Sequence, residues 1–225
     1  MAEFVTLEET KKEITKNQNQ VQINSYVIPL VMINLIVFIL QMIFPSITTN
    51  FALNPQEVFQ RPWIILTSFF LHGGFSHLFF NMYALFLFGI LLEQKIGHKK
   101  FLKFYLISGI LVSFLSSFFY TNLVLGASGA IMAVIGMLIV LNPNLQLYFF
   151  FVLPLRLWQA GIIWFILDFL GLFTNNTVAN LGHIFGLSIG LGYGYYLLQK
   201  RKKFFKKFTK SIHLTEKEQK DYKKL

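Results

Sequence analysis

Uncharged apolar stretches recur along this chain at lengths suited to helices that cross a lipid bilayer. Residues 26–44 give 19 consecutive positions without a charge, close to the ~20 that a spanning helix needs. Apolar runs with few or no charges cover residues 76–92, 101–120, 156–173 and 178–198, and a shorter one covers 128–141 before Asn142-Pro143-Asn144 stops it. The pattern predicts six transmembrane helices in an all-α, polytopic membrane fold. The connection 45–75 is long and rich in Pro, Asn and aromatic residues. Residues 145–155 are aromatic and end at Pro154 and Leu155, which suits interfacial backbone or the entry of the fifth span. The chain then divides into a leading segment 1–25, a core 26–198 and a basic tail 199–225.

Composition agrees. Hydrophobic residues make up 55% of the chain, charged residues 13%, and mean hydropathy is +0.56. A soluble domain carries about 25% charged residues, so this chain cannot cover a water-facing surface. The net charge of +10 does not point to nucleic acid, because seven basic residues crowd into 200–210, directly after the last apolar run. Such a cluster is an orientation signal and an attraction to the anionic heads of the bilayer. Lys11, Lys12 and Lys16 precede the first run, and Lys95, Lys99, Lys100 and Lys103 lie between the second and third. Arg156 marks the fifth, whereas the opposite side holds only Arg61. Both termini are therefore expected in the cytoplasm and the protein in the cell membrane. The opening 20 residues mix acidic and basic charges, unlike a transit peptide, and the first apolar run is too long and poorly flanked for a cleaved signal. The chain has no cysteine, so disulfides and thiolate metal sites are excluded.

On this topology the second, fourth and sixth runs all start on the outer side. Ser128 opens the fourth, His183 lies about one turn into the sixth, and His77 opens the second with Asn81 one turn on. At ~1.5 Å of rise per residue, all four fall within a turn or two of the outer boundary. Polar groups at membrane depth are costly and mark functional sites. A serine needs a base to become a nucleophile, and an imidazole titrates near neutral pH. Ser128 alone would pass for a small packing residue, and His77 with Asn81 for an interhelical hydrogen-bonded pair. Their shared depth favours a nucleophile Ser128, a base His183, and oxyanion donors from His77, Asn81 and the Ser128 backbone at the helix start. Gly129 is expected to leave room for a substrate backbone. Gly182, Gly186, Gly190 and Gly194 form a stripe suited to close contact with Gly129, Ala133 and Gly136.

Other polar residues weigh less. His72 suits a boundary or structural role rather than the base. Asp168 is read as reaching the interface in preference to joining Ser128 and His183. Glu93 is expected to pair with basic residues or to cap a neighbouring helix, and His98 and His213 to be solvated. No His, Asp or Glu grouping has metal-ligand spacing, so no metal or other cofactor is expected.

Three segments resemble the rhomboid family of intramembrane serine proteases. They are Gly126-Ala127-Ser128-Gly129, Gly182-His183-Ile184-Phe185-Gly186, and the stretch from His72 through His77 to Asn81. The resemblance covers about residues 26–198, with no seventh span visible, as in the minimal form. It implies a Ser–His dyad without a required acid, in which His77, Asn81 and the Ser128 N–H hold the oxyanion. It further implies a first loop partly in the outer leaflet, lateral substrate entry beside span five, and a water cavity open to the outside. Substrates would be single-span membrane proteins cut in or beside the bilayer. Two positions depart from the family pattern. Trp63 is followed by Ile64 where Trp-Arg is frequent, and Met132 stands where a Tyr often stacks on the histidine; its thioether can still pack on a ring edge. The competing readings are a catalytically inactive relative that binds membrane proteins and a transporter. The first needs no intact nucleophile, and the second would show repeats and mid-membrane charges, which this chain lacks.

Overall fold

The computed structural model describes residues 25–149, 153–174 and 179–212. The mixed-charge opening, Val178 at the head of the last apolar run, and His213 with the rest of the tail lie outside those residues. The described chain is mostly helical. Its longer helices are α1 (Val27–Ile43), α4 (Phe75–Ile96), α5 (His98–Ser116), α6 (Ser128–Leu141), α7 (Leu157–Gly171) and α8 (Asn180–Ile212). Two short helices, α2 (Ser46–Phe51) and α3 (Ile64–Thr67), and 3-10 turns at Pro55–Glu57 and Ser68–Phe70 build the connection between α1 and α4. Among the described residues, α4 alone is both long and apolar enough to cross a membrane by itself; α1, α6 and α7 are apolar but shorter.

Two elements depart from the expected pattern. Residues 146–149 and 153–156 are strands: β1 (Gln146–Phe149) pairs antiparallel with β2 (Leu153–Arg156), with Tyr148 opposite Pro154. Proline cannot continue a helix and is tolerated at a sheet edge, so a fold expected to be all-α carries one small hairpin. The last helix also runs on to Ile212 rather than ending near residue 198. Gln199, Lys200, Arg201, Lys202 and Lys203 are good helix formers, and neither Pro nor Gly follows Gly194 in the tail.

The helices are inside out by the standards of a soluble bundle. In α1 the buried positions are Val27, Leu30, Asn34 and Gln41, whereas Ile36, Ile39 and Ile43 are more than half exposed. In α4, Phe79, Phe80, Tyr83 and Phe86 face outward. A water-facing helix would reverse this arrangement. Several buried polar groups are tied within the bundle. Asn34 Nδ2 donates to the Leu30 carbonyl at 2.7 Å. Gln41 accepts from His72 N–H at 3.0 Å and donates to the His72 carbonyl at 3.2 Å. Glu93, 2% exposed, accepts from Tyr26 N–H at 2.7 Å, Ser25 Oγ at 2.5 Å and His98 Nδ1 at 3.0 Å. Glu93 thus caps the start of α1, as expected of it. His98 is its partner rather than a solvated residue, because it opens α5 one turn of chain after the carboxylate.

α6 lies at the centre, with every residue from Gly129 to Leu138 buried. Its tightest neighbour is α8. A Cβ on Gly186 would stand 2.1 Å from the Gly129 carbonyl oxygen, and one on Gly190 2.0 Å from that of Ala133. A Cβ on Gly136 would in turn meet the Leu187 carbonyl at 2.4 Å. The two backbones therefore touch along the predicted glycine stripe, and only hydrogen fits between them.

Gly190→Ala is expected to force α6 and α8 apart and to cost at least about 1–3 kcal/mol of stability. Gly192, whose Cβ would meet nothing within 4 Å, supplies the control. Thermal unfolding in detergent should show a depressed midpoint for Gly190→Ala and little change for Gly192→Ala.

Candidate active site

The chain reaches Ser128 through a turn held on both sides. Leu53 and Val124 exchange backbone hydrogen bonds of 2.9 Å each, and Gly126 N–H donates to the Ser68 carbonyl at 3.0 Å. Gly126 adopts φ +118°, a conformation open to glycine and strained for other residues. Two residues on, Ser128 begins α6. The first helical bond at this end runs from Ile131 N–H to the Ala127 carbonyl. The N–H groups of Ser128, Gly129 and Ala130 thus stand at the electropositive helix start without ladder partners.

Close packing of α8 on α6 brings His183 to this point. Ser128 Oγ and His183 Nε2 are 2.7 Å apart. On the other side of the ring, His183 Nδ1 lies 2.9 Å from Asp168 Oδ1, on α7. The start of α8 is itself held by Tyr120, whose hydroxyl accepts from Leu181 N–H at 2.9 Å. The expectation that Asp168 turns to the interface is therefore corrected. On α7 the buried residues are Leu157, Ala160, Gly161, Asp168 and Gly171, a stripe that faces α8 and the bundle. A carboxylate in that stripe finds the imidazole before it finds water. A second expectation also changes. A Cβ on Gly129 would strike Val112 Cγ1 at 2.5 Å, so the space beside Gly129 is taken by α5 rather than kept for substrate.

His77 packs against the same turn. A Cβ on Gly126 would sit 2.6 Å from its Cε1 and 2.8 Å from its Nε2. Gly73 N–H donates to His77 Nδ1 at 3.3 Å, so in a neutral ring the proton rides on Nε2. Asn81 is buried one turn below, and its Nδ2 donates to the His77 carbonyl at 2.8 Å. That bond uses one of two amide protons. Among the described residues, Asn81 makes no direct hydrogen bond to Ser128 or His183. His72 stacks edge-on against His77 with ring centroids 5.2 Å apart. Burial, and next the neighbouring His77, hold the His72 imidazole well below its ordinary value, at about 3. A ring that stays neutral there is a packing element and not a base. Met132 is buried on the face toward α8, its Cβ 3.2 Å from where a Cβ on Gly186 would stand.

Beside Ser128 a small recess of about 20 Å³, room for about one water, is lined by Ser68, Ser113, Ser116, Val112 and His183, among others. Ser68 and Ser113 hydroxyls are 3.3 Å apart. These hydroxyls give the recess a polar wall, and no single one of them stood out in the sequence. The available signal was the spacing of Ser113 and Ser116, which puts both on one face of α5.

A serine whose Oγ–H meets an imidazole, at a helix start rich in free N–H groups, can attack an acyl carbon and shelter the resulting oxyanion. Residues 60–200 match the family model for the Rhomboid domain. The chain belongs to the rhomboid family. Rhomboids are multi-pass membrane proteins, which accounts for the apolar exterior of this one. It is 32% identical over 173 residues to RHOMBOID-like protein 6, mitochondrial, of Arabidopsis thaliana, covering 71% of this chain and 52% of that protein. It is 37% identical over 126 residues to Rhomboid protease GluP of Bacillus subtilis, covering 56% of this chain and 24% of that one. It is also 41% identical over 88 residues to Inactive RHOMBOID-like protein 8 of Arabidopsis thaliana, covering 38% and 25%. The rhomboid chain described here thus spans about half the length of the first of these relatives and less of the others.

Gly126→Ala is expected to displace the His77 ring and strain the turn, at about 1–2 kcal/mol for the backbone alone. A lowered unfolding midpoint together with shifted His77 ring resonances is the expected result. Unmoved resonances would mean that Gly126 does not seat His77.

Proposed function

We propose that this rhomboid is an intramembrane serine protease that hydrolyses peptide bonds in or near transmembrane segments of other membrane proteins. The observation that carries the reading is the 2.7 Å contact between Ser128 Oγ and His183 Nε2. Ser128 Oγ bonds to the substrate carbonyl carbon while its proton passes to Nε2. The C–N bond then breaks and the same proton leaves on the amine. Water then attacks the acyl carbon as His183 takes its proton, the ester C–O bond breaks, and His183 returns the proton to Ser128 Oγ. The Ser128 N–H, His77 Nε2–H and the second amide proton of Asn81 are the oxyanion donors.

Around that site the reading has six membrane-crossing helices, α1, α4, α5, α6, α7 and α8, with both termini in the cytoplasm. The basic residues Lys95, Lys99, Lys100, Lys103 and Arg156, and the tail after α8, support that orientation. Helices α6 and α7, at 14 and 15 residues, are short for a full crossing. A shortened α6 sets its serine below the outer surface, and the small hydroxyl-lined recess leaves room for a water beside it. The partners are the bilayer and single-span substrates.

The alternative is an inactive rhomboid that binds membrane proteins without cutting them, and the resemblance to Inactive RHOMBOID-like protein 8 keeps it in view. The intact Ser128–His183 pair favours the protease. Purified protein should label with a fluorophosphonate and cleave a model transmembrane substrate. Ser128→Ala should lose both, and His183→Ala should lose at least ~10³-fold in kcat. Equal labelling of wild type and Ser128→Ala would favour the binder. Asn81→Ala should lower kcat by about 10- to 1,000-fold with little change in KM, since an oxyanion donor acts mainly in the transition state.

A further inference from the structure

We propose that Asp168 completes the site as a positioning residue, holding the His183 imidazole in the orientation and tautomer that accept the Ser128 proton. This rests on the protease reading and goes beyond the two-residue machinery that the family resemblance implies.

Three observations carry it. First, the contact is direct, with Asp168 Oδ1 2.9 Å from His183 Nδ1 on the ring edge opposite Ser128. A carboxylate there accepts the Nδ1–H, which leaves the Nε2 lone pair for the serine hydroxyl. The other tautomer would present Nε2–H to Ser128 and could not take its proton. Second, Asp168 sits among Ile166, Leu167, Phe169 and Leu170, which are 47–60% exposed, while Asp168 itself is 9% exposed. A carboxylate turned inward on a helix with so apolar an exterior is costly without a donor. The His183 N–H is the donor it meets. Third, α7 is seated against α8 about one turn beyond this bond. A Cβ on Gly171, three residues after Asp168, would stand 2.5 Å from Asn180 Nδ2, three residues before His183. The register that makes this contact aims Asp168 at the ring.

The experiment uses the full chain in detergent or liposomes, with Asp168→Asn, Asp168→Glu and Ser128→Ala beside the wild type. The Asn side chain keeps the size and can donate to Nδ1, which favours the wrong tautomer. Asp168→Asn is expected to lose on the order of 100-fold or more in kcat, with KM little changed, and Asp168→Glu to recover part of the rate. Nitrogen NMR of the His183 ring should show a protonated Nδ1 in the wild type and a protonated Nε2 in Asp168→Asn. Retention of kcat within about threefold would overturn the assignment, as would a lost rate with an unchanged nitrogen pattern. If Asp168→Asn does not fold, Asp168→Ser serves for both measurements, with loss of the Nδ1–H pattern expected. If the wild type shows no Ser128-dependent cleavage, the protease reading fails. The nitrogen pattern still decides Asp168: an Nδ1 proton that depends on the carboxylate supports its role, and one that does not overturns it.

Discussion

The backbone contact between α6 and α8 is the constraint on which the rest depends. Two helices with ordinary side chains between them sit 8–10 Å apart at their axes. Here the carbonyls of Gly129 and Ala133 occupy the places that side chains on Gly186 and Gly190 would need. In lipid no hydrophobic effect draws helices together, so fit and dispersion must do so. That fit also fixes the separation of Ser128 and His183. One is the first residue of its helix and the other stands one turn into its own, so closing the helices closes the hydrogen bond. Packing and chemistry share one set of atoms.

The polar groups of the bundle follow from the same apolar setting. With few charges to place, each buried one is answered locally. Glu93 ties three donors at the junction of α1, α4 and α5, and Gln41 clamps both main-chain groups of His72. The Gln41–His72 tie holds the connection between α1 and α4 in place. That connection in turn holds Gly126 through Ser68 and Val124 through Leu53. The long first loop is thus a bracket for the turn that leads into Ser128, built from main-chain bonds that no residue type announces.

Much of this could be read from the chain before its folding was known. The start of α6 at Ser128 and its end at Leu141 coincide with the run that Gly126 and Asn142-Pro143 delimit, because a glycine turn and a proline leave little choice. The glycine stripe named its own partner face. Asp168 was harder. In sequence it is one acidic residue near a helix end, where reaching for water is the ordinary outcome. Its direction depends on the rotation of α7, which an almost uniformly apolar helix does not encode. The β1–β2 hairpin was hidden for a related reason: a short aromatic run fits strand and helix alike, and pairing across the turn decides it. Gly129 misled in the opposite sense, since a missing side chain marks a close approach without saying whose.

Helix α7 touches the bundle along one narrow stripe, from Leu157 near the hairpin to Asp168 and Gly171 near its far end. That geometry makes it a lever. Asp168 lies eleven residues, or roughly 16 Å, beyond Leu157, so a tilt of about 5° about the hairpin end carries its carboxylate about 1.4 Å. A bond of 2.9 Å does not survive that displacement. The imidazole's acid partner is thereby borrowed from a helix whose outer face belongs to lipid. The thickness and lateral pressure of the surrounding bilayer, by setting the lean of one helix, then bear directly on whether His183 keeps its carboxylate partner.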